Sequence, residues 1–467
     1  MVPSALLLAA CAGPVRPDLA DPSHDPIAAA TTASWSGTDD AAWPQLRWWD
    51  SFGDPELSRI VDRALIANPD LKAARAHARA AAAAAGAAGA TLAPTLNGSA
   101  TLTRERLSAN GLFPPPYGGS TFTTGEVAAS LAWKLDLVGA ERARIAARQA
   151  DASAAAFDAE YARTTTAAAA ARLYFELAAA LADREVVEST LLQRKTVLQL
   201  TAGRVDAGLD NVAALREAEA QVPALELERA SADERIAVAR AALAALLGEG
   251  PDATRSLAPP LHVVAQPWGI PGDVRLALLG RRADVASARG RVESAASDAT
   301  AARRDYLPNV NLAALVGLNA IQSNLLFNGS SREWSAGPAI DLPLFDAGRR
   351  RNVSREREAA YEAARAGYER AVLNAVRDVT EAIARLKSVA EQSRSAAAAL
   401  EAERAAFHIA TRRYETGLGT LLEVLVVQDR VLTLERQTAS LDTRARSLRV
   451  DLFEALGGGW PPTGATS

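Results

Sequence analysis

The sequence predicts a mainly α-helical chain built as two tandem repeats, each combining a long helical hairpin with two β-strands. Three observations carry that expectation. The first is duplication: "NPDLKAARAHARAAAAAAGAAGATLAPTL" (68–96) lies over "RADVASARGRVESAASDATAARRDYLPNV" (282–310) at an offset of 214. Likewise "RVDAGLDNV" (204–212) and "LLGEG" (246–250) lie over "RYETGLGTL" (413–421) and "ALGGG" (455–459) at an offset of 209. The second is a pair of proline-free intervals, Gly139 to Gly203 and Gly348 to Arg412, each of 65 residues rich in Ala, Arg, Glu and Leu. The third is two-residue alternation in four stretches outside those intervals.

At 1.5 Å per residue each interval makes a helix about 97 Å long, too long for a compact domain. Gly208 in "DAGLDN" and Gly417 in "ETGLGT" suit left-handed caps, after which the chain returns through Val212 to Leu247 and Leu421 to Leu456, 36 residues each. Those returns are shorter than their partners. Asp70 to Ala93 and Asp284 to Leu307 supply 24 residues each, so two short helices are expected to stack end to end beside each long one. The result is a four-rod bundle whose alanines permit close approach, with a local kink expected at Pro223.

The apolar positions of the four stretches are Leu96, Ala100 and Leu102; Val127, Ala129, Leu131, Trp133, Leu135 and Leu137; Val310, Leu312, Ala314, Val316 and Leu318; and Trp334, Ala336, Ile340, Leu342 and Leu344. Polar residues such as Thr95, Asn97, Ser99 and Thr101 alternate with them, the pattern of strands with one greasy face. "SANGLFPPPYGGST" and "NAIQSNLLFNGSS" read as exposed hairpin tips. Four strands cannot close a barrel, and a membrane-spanning sheet tolerates no open edge. The chain must therefore oligomerise. Two copies would give eight strands filled by their own side chains; three would give twelve strands and a lumen.

Composition excludes several classes. Net charge is -4 with a pI near 5.8, so there is no basic footprint for nucleic acid. Hydrophobic residues reach 49%, yet alanine supplies much of that and mean hydropathy is -0.02. The longest low-polarity stretch, Ala80 to Ala90, is far shorter than the ~20 apolar residues of a spanning helix. His24, His77, His262 and His408 are scattered and read as solvated. Neither a phosphate loop nor a Gly-x-Ser-x-Gly elbow is present, and no cofactor or metal is expected, so the chain does not read as an enzyme.

The single cysteine, Cys11, cannot form an internal disulfide. It follows a short apolar run, and Leu8, Ala9, Ala10 and Cys11 resemble a bacterial lipobox, which implies a covalent lipid on Cys11 and a mature chain beginning there. Only Met1, Val2, Pro3 and Ser4 precede the run, without a basic residue, so the reading expects a start codon farther upstream or a signal defective as written.

Several longer motifs carry a resemblance. "WWDSFGDPELSRIVDRALIANPDL" (48–71), "WKLDLVGAERAR" (133–144), "RRADVASAR" (281–289), "DLPLFDAGRRR" (341–351) and "LGGGW" (456–460) are spread along nearly the whole chain. They resemble the TolC-like outer-membrane efflux lipoproteins of the OprM/NodT branch. That resemblance implies a homotrimer with a twelve-stranded β-barrel in outer-membrane lipid and a twelve-helix periplasmic α-barrel. It also implies a periplasmic adaptor and an inner-membrane pump of the resistance-nodulation-division type as partners, the whole exporting drugs, toxic compounds or metal ions. An exit duct for type I polypeptide secretion and a lipid-anchored coiled-coil spacer remain alternatives, although a spacer has no need of the four strands.

The organisation expected is a signal peptide over 1–10, an N-terminal linker and equatorial segment over 11–55, repeats over 56–258 and 278–460 joined by a linker at 259–277, and a tail at 461–467. By resemblance, Arg204, Asp206, Asp210, Arg412, Arg413, Tyr414 and Glu415 are gate candidates near the helical turns, and Gly208, Leu209, Gly417 and Leu418 are adaptor-docking candidates. Trp48 and Trp49 read as packing anchors of a belt around the bundle. The run Arg349, Arg350, Arg351 reads as a solvated strand-to-helix junction, with contact to phosphate groups at the inner leaflet as the functional alternative. If Cys11 is acylated, the intact mass of membrane-extracted protein should show residues 1–10 missing and acyl mass added. An unmodified Cys11 in that material would sink the lipoprotein reading.

Overall fold

The computed structural model describes residues 43–259 and 280–461. Cys11, the signal segment, His24 and His262 lie outside them. Seven helices are described: α1 (Pro55–Ala67), α2 (Pro69–Gly89), α3 (Ala140–Asp206), α4 (Val212–Leu246), α5 (Ala283–Arg304), α6 (Arg349–Glu415) and α7 (Leu421–Ala455). The four strands are β1 (Thr95–Arg106), β2 (Thr121–Leu135), β3 (Asn309–Ala320) and β4 (Arg332–Asp341).

The rods α3 and α6 are 67 residues each, about 100 Å long. Both start after a glycine in the left-handed region, Gly139 and Gly348. Each lies against a stack of two shorter helices, α2 with α4 and α5 with α7, and α3 also touches the second stack. At the joint of the first stack Gly248, with φ +66°, brings the end of α4 onto the carbonyl of Ala67 beside Pro69. At the second joint Gly457, with φ +93°, sits so close to the carbonyl of Arg281 that a Cβ would be 1.9 Å from that oxygen. Only glycine fits there. The glycines of "LLGEG" and "ALGGG" at the ends of the two repeats therefore mark the same joint. Helix α4 passes through Pro223 as one element.

A belt grips the middle of the rods. Trp48, Trp49 and Phe52 are buried with Leu57, Ile60 and Val61 of α1 against the alanines and Phe175 of α3, and against Phe453 of α7. Ring centroids lie 5.2 Å apart for Trp48 and Phe453 and 5.1 Å for Phe52 and Phe175. Asp54 caps α1 by accepting from the backbone N–H of Glu56 at 2.8 Å, and its other oxygen accepts from the Tyr174 hydroxyl at 2.6 Å. Burial, reinforced by that carboxylate, pushes the Tyr174 phenol well up.

The strands form one antiparallel sheet in the order β1-β2-β3-β4. Directly opposed residues share a face, so the register decides whether the apolar sets align. They do: Leu96 faces Leu131, Leu131 faces Ala314 and Ala314 faces Ala336, while Trp133 faces Leu312 and Val316 faces Trp334. The opposite face carries Thr101, Glu126 and Asn319 in one row. The greasy face lies open in the single chain, with Trp334 80% and Leu96 73% exposed.

Three expected strand positions, Leu137, Leu342 and Leu344, fall beyond the strand ends. Two local causes end the ladder. Asp136 turns to cap α3, its carboxylate accepting from the backbone N–H of Glu141 at 3.0 Å and of Arg142 at 2.9 Å. Pro343 has no N–H to give a neighbouring strand, and its carbonyl instead accepts from Arg350 at 2.9 Å. Asp346 repeats the cap at α6, accepting from the backbone of Gly348 and Arg350. Within the arginine run Arg350 is thus a buried clamp, its Nε 2.7 Å from Asp346, while Arg349 and Arg351 are exposed.

Burial opposes ionisation of Asp136, but the two backbone N–H groups outweigh it and hold the carboxyl below its usual range. With the folded value lowered, the cap stabilises fully above about pH 5 and is lost as pH falls through about 4 and below. Asp136→Ala is expected to cost about 0.5–2 kcal/mol in reversible denaturation. That cost should shrink progressively as the measurement is repeated at pH values falling below about 4. A cost independent of pH would show that the cap does not act through the carboxylate.

Candidate functional site

At the end of the rods farthest from the sheet, the two repeats build equivalent turns. In the first, Ala207, Gly208 and Leu209 donate to the carbonyls of Gly203, Val205 and Arg204; in the second, Thr416, Gly417 and Leu418 donate to Arg412, Tyr414 and Arg413. Gly208 and Gly417 have φ of +71° and +78°, with open space where a Cβ would stand. Conformation, not crowding, calls for glycine there. The returning helices then start on side-chain caps: Asn211 Oδ1 accepts from Ala214 N–H, and Thr420 Oγ1 from Glu423 N–H. Leu209 and Leu418 are left at the apices, strongly exposed.

Between the turns the structure gathers some of the expected residues and leaves others outside. Tyr414 is 1% exposed. Its hydroxyl donates to Asp210 Oδ2 at 3.0 Å and lies 3.1 Å from Thr201 Oγ1. The Arg204 guanidinium stacks 4.6 Å from the Tyr414 ring centre, donates to the Tyr414 carbonyl at 3.1 Å, and holds its Nε 3.5 Å from Asp210. Burial pushes the Tyr414 phenol up; the Thr201 hydroxyl works the other way and Asp210 adds to the rise. Hydroxyl, guanidinium and carboxylate thus tie the end of α3 to the end of α6 within one chain.

Asp206, Arg412, Arg413 and Glu415 are exposed and stand outside this knot. Arg413 donates to the Leu418 carbonyl at 3.2 Å, bracing its own turn. A shallow cleft of about 460 Å³, with Leu209, Asn211, Ala214, Glu217, Gly417 and Leu421 on its walls, opens between the two turns. Thr201 was not among the expected residues. Its position three before Arg204 puts it on the same helical face, which is the signal that could have found it. His77 and His408 are exposed, and no grouping of metal-binding side chains occurs among the described residues.

The chain that builds this sheet and these paired turns matches the family of outer membrane efflux proteins over residues 60–249 and 275–458. The chain belongs to that family. The efflux protein is 29% identical over 432 residues to the multidrug resistance outer membrane protein MdtP of Escherichia coli strain K12, covering 90% of this chain and 88% of that one. It is 30% identical over 317 residues to the fusaric acid resistance protein FusA of Burkholderia cepacia, covering 67% and 59%. Its structure superimposes on the outer membrane protein VceC of Vibrio cholerae with a TM-score of 0.84 at 31% identity, covering 90% of this chain and all of that one. For the outer-membrane channel OprN the TM-score is also 0.84, at 27% identity. The family is one of channels, not enzymes, and the efflux protein is an outer-membrane channel component of an efflux system.

The knot at the turns makes a measurable demand. Asp210→Ala removes an acceptor shared by Tyr414 and Arg204, and a hydrogen bond to a charged group is worth about 1.5–3 kcal/mol. Amide exchange over residues 203–212 and 412–420 should then accelerate by about ten- to a hundredfold, with the belt around Trp48 unaffected. Unchanged exchange at the turns would mean that the knot does not hold them.

Proposed function

We propose that three copies of this chain close their sheets edge to edge into a twelve-stranded barrel, continued by twelve helical rods into the periplasm. The assembly is a passive, gated duct for small molecules. The observation that carries this is the sheet itself: β1 and β4 each have an unpaired edge, and the apolar face runs unbroken in register across all four strands. In hydrocarbon those edges must be paired, and twelve strands is the smallest multiple of four that leaves a lumen. A periplasmic adaptor and an inner-membrane pump of the resistance-nodulation-division type complete the system and supply the energy. The exposed turns, with Gly208, Leu209, Gly417 and Leu418 at their apices, are the docking surface for the adaptor. A lipid on Cys11 supplements the barrel as an anchor.

In this reading the gate has two layers. The knot of Arg204, Asp210 and Tyr414 joins the two turns of one chain. The exposed charges Asp206, Arg412, Arg413 and Glu415 hold neighbouring chains together. Exposed pairs are worth ~0.2–1 kcal/mol each, so three symmetric copies contribute roughly 0.6–3 kcal/mol. Asp206→Ala combined with Arg413→Ala is expected to raise single-channel conductance in planar bilayers and to sensitise cells to large antibiotics, with the mass of the detergent-extracted protein still that of three chains. Unchanged conductance in intact trimers would place the constriction elsewhere, and a conducting monomer would overturn the closure argument.

A further inference from the structure

The two edge strands sort their charges by face at the end of the sheet remote from the helices. In β1 the order is Arg104, Glu105, Arg106, and in β4 it opens with Arg332, Glu333. Arg104 lies opposite Thr123, two positions beyond Leu102 opposite Gly125; Arg332 lies opposite Leu318, which faces Val127 on the other side. The three arginines therefore stand on the greasy face. Glu105 and Glu333 stand on the face of Glu126. All three arginines are exposed, and none has an ion pair or a side-chain hydrogen bond among the described residues. The β3–β4 connection leans over the same face: Leu326 packs where a Cβ on Gly125 would point, leaving Phe327 80% exposed beside it.

An arginine on a lipid-facing strand costs about 2–4 kcal/mol at the bilayer midplane and about 0–1 near the interface. Arg104 and Arg106 follow Leu102, the last apolar residue of β1, and Arg332 stands beyond Trp334 at the end of β4; with the acids turned to the opposite face, these charges need an anionic partner at headgroup depth. We infer that Arg104, Arg106 and Arg332 form a binding site for the phosphates of the phosphorylated glycolipid in the outer leaflet, lipid A. This rests on the edge-to-edge closure above, which makes β1 of one copy the neighbour of β4 of the next and so sets the charged ends of both strands at the same junction. The planar guanidinium is matched to phosphate oxygens and holds them through paired N–H bonds. On the same face Leu102, Val127, Val316 and Trp334 offer the acyl chains an apolar wall. Each junction is thus closed by backbone pairing and overlaid by an amphipathic lipid of matching charge.

The test is native mass spectrometry of the detergent-extracted assembly titrated with purified bisphosphorylated lipid A and, separately, with the same lipid after enzymatic removal of both phosphates. The wild type should bind the phosphorylated form at least about tenfold more tightly. Combining Arg104→Gln, Arg106→Gln and Arg332→Gln should abolish that preference. Glu105→Gln with Glu333→Gln, on the other face of the same strand ends, should leave it intact, and excess inorganic phosphate should not displace the lipid. A wild type indifferent to the phosphates, or a preference that survives in the triple variant, would overturn the site. If the triple variant does not assemble, the wild-type comparison decides alone. Planar-bilayer conductance of the same wild-type preparation reports the duct separately: a conducting wild type without lipid preference sinks only this site, and a non-conducting one sinks the duct.

Discussion

Backbone pairing in hydrocarbon is the constraint on which the rest of the molecule depends. A strand edge left open in a bilayer carries N–H and C=O groups with nothing to bond, at several kcal/mol each. Edge strands β1 and β4 present twelve and ten residues with one side unpaired. The sheet is consequently unsuited to a membrane as one copy, and whatever closes it also sets the spacing of the rods that hang from it. Strand and rod are rigidly coupled through Asp136 and Asp346, whose carboxylates bind the first backbone N–H groups of α3 and α6. Placing four strands thereby aims two long helices. The ladder is given up at Leu137 because its neighbour Asp136 turns to cap α3, and at Leu342 because Pro343 has no N–H to pair.

Duplication explained most of what the sequence made legible. The offsets located both rods, both returns and both turns, because glycine at a left-handed cap and a long proline-free interval are local signals. Strand register was legible in part: alternation identified the apolar face, and the observed pairing of Leu96, Leu131, Ala314 and Ala336 follows from keeping that face continuous. The end-to-end stacking was also within reach, because Gly248 and Gly457 occupy matching positions and each admits a carbonyl where a side chain would stand.

Lateral pairing was less accessible. Seven charged or aromatic residues near the turns were equally good gate candidates from sequence, since a helical face narrows the choice only to one side of the rod. What separates them is that the ends of α3 and α6, more than two hundred residues apart, lie side by side. This brings Tyr414 onto Asp210 and Thr201 and leaves Arg412, Arg413, Asp206 and Glu415 outside. In the arginine run Arg349 and Arg351 are solvated as the sequence suggests, and Arg350 departs for a related reason: it is consumed by Asp346 and the Pro343 carbonyl, a contact that requires the chain to have left the strand first.

The knot also breaks the symmetry that the repeats otherwise keep. At the offset of 209, Arg204 corresponds to Arg413, Asp206 to Glu415, and the glycines and leucines of the turns to each other, but Val205 corresponds to Tyr414, Asp210 to Gly419 and Thr201 to Ala410. In a closed ring of six turns there are two kinds of junction. Within a chain, Arg204 meets an aromatic ring and a carboxylate. Between chains, the equivalent Arg413 would meet Val205, which offers neither, and Gly419 supplies no acid. In the proposed ring the between-chain junctions would rest on exposed charges alone and be the weaker set, by the difference between a half-buried charge-assisted network and solvated ion pairs. An opening force applied at the turns of that ring would therefore part the chains from one another first, with each chain's two hairpins moving together as one unit.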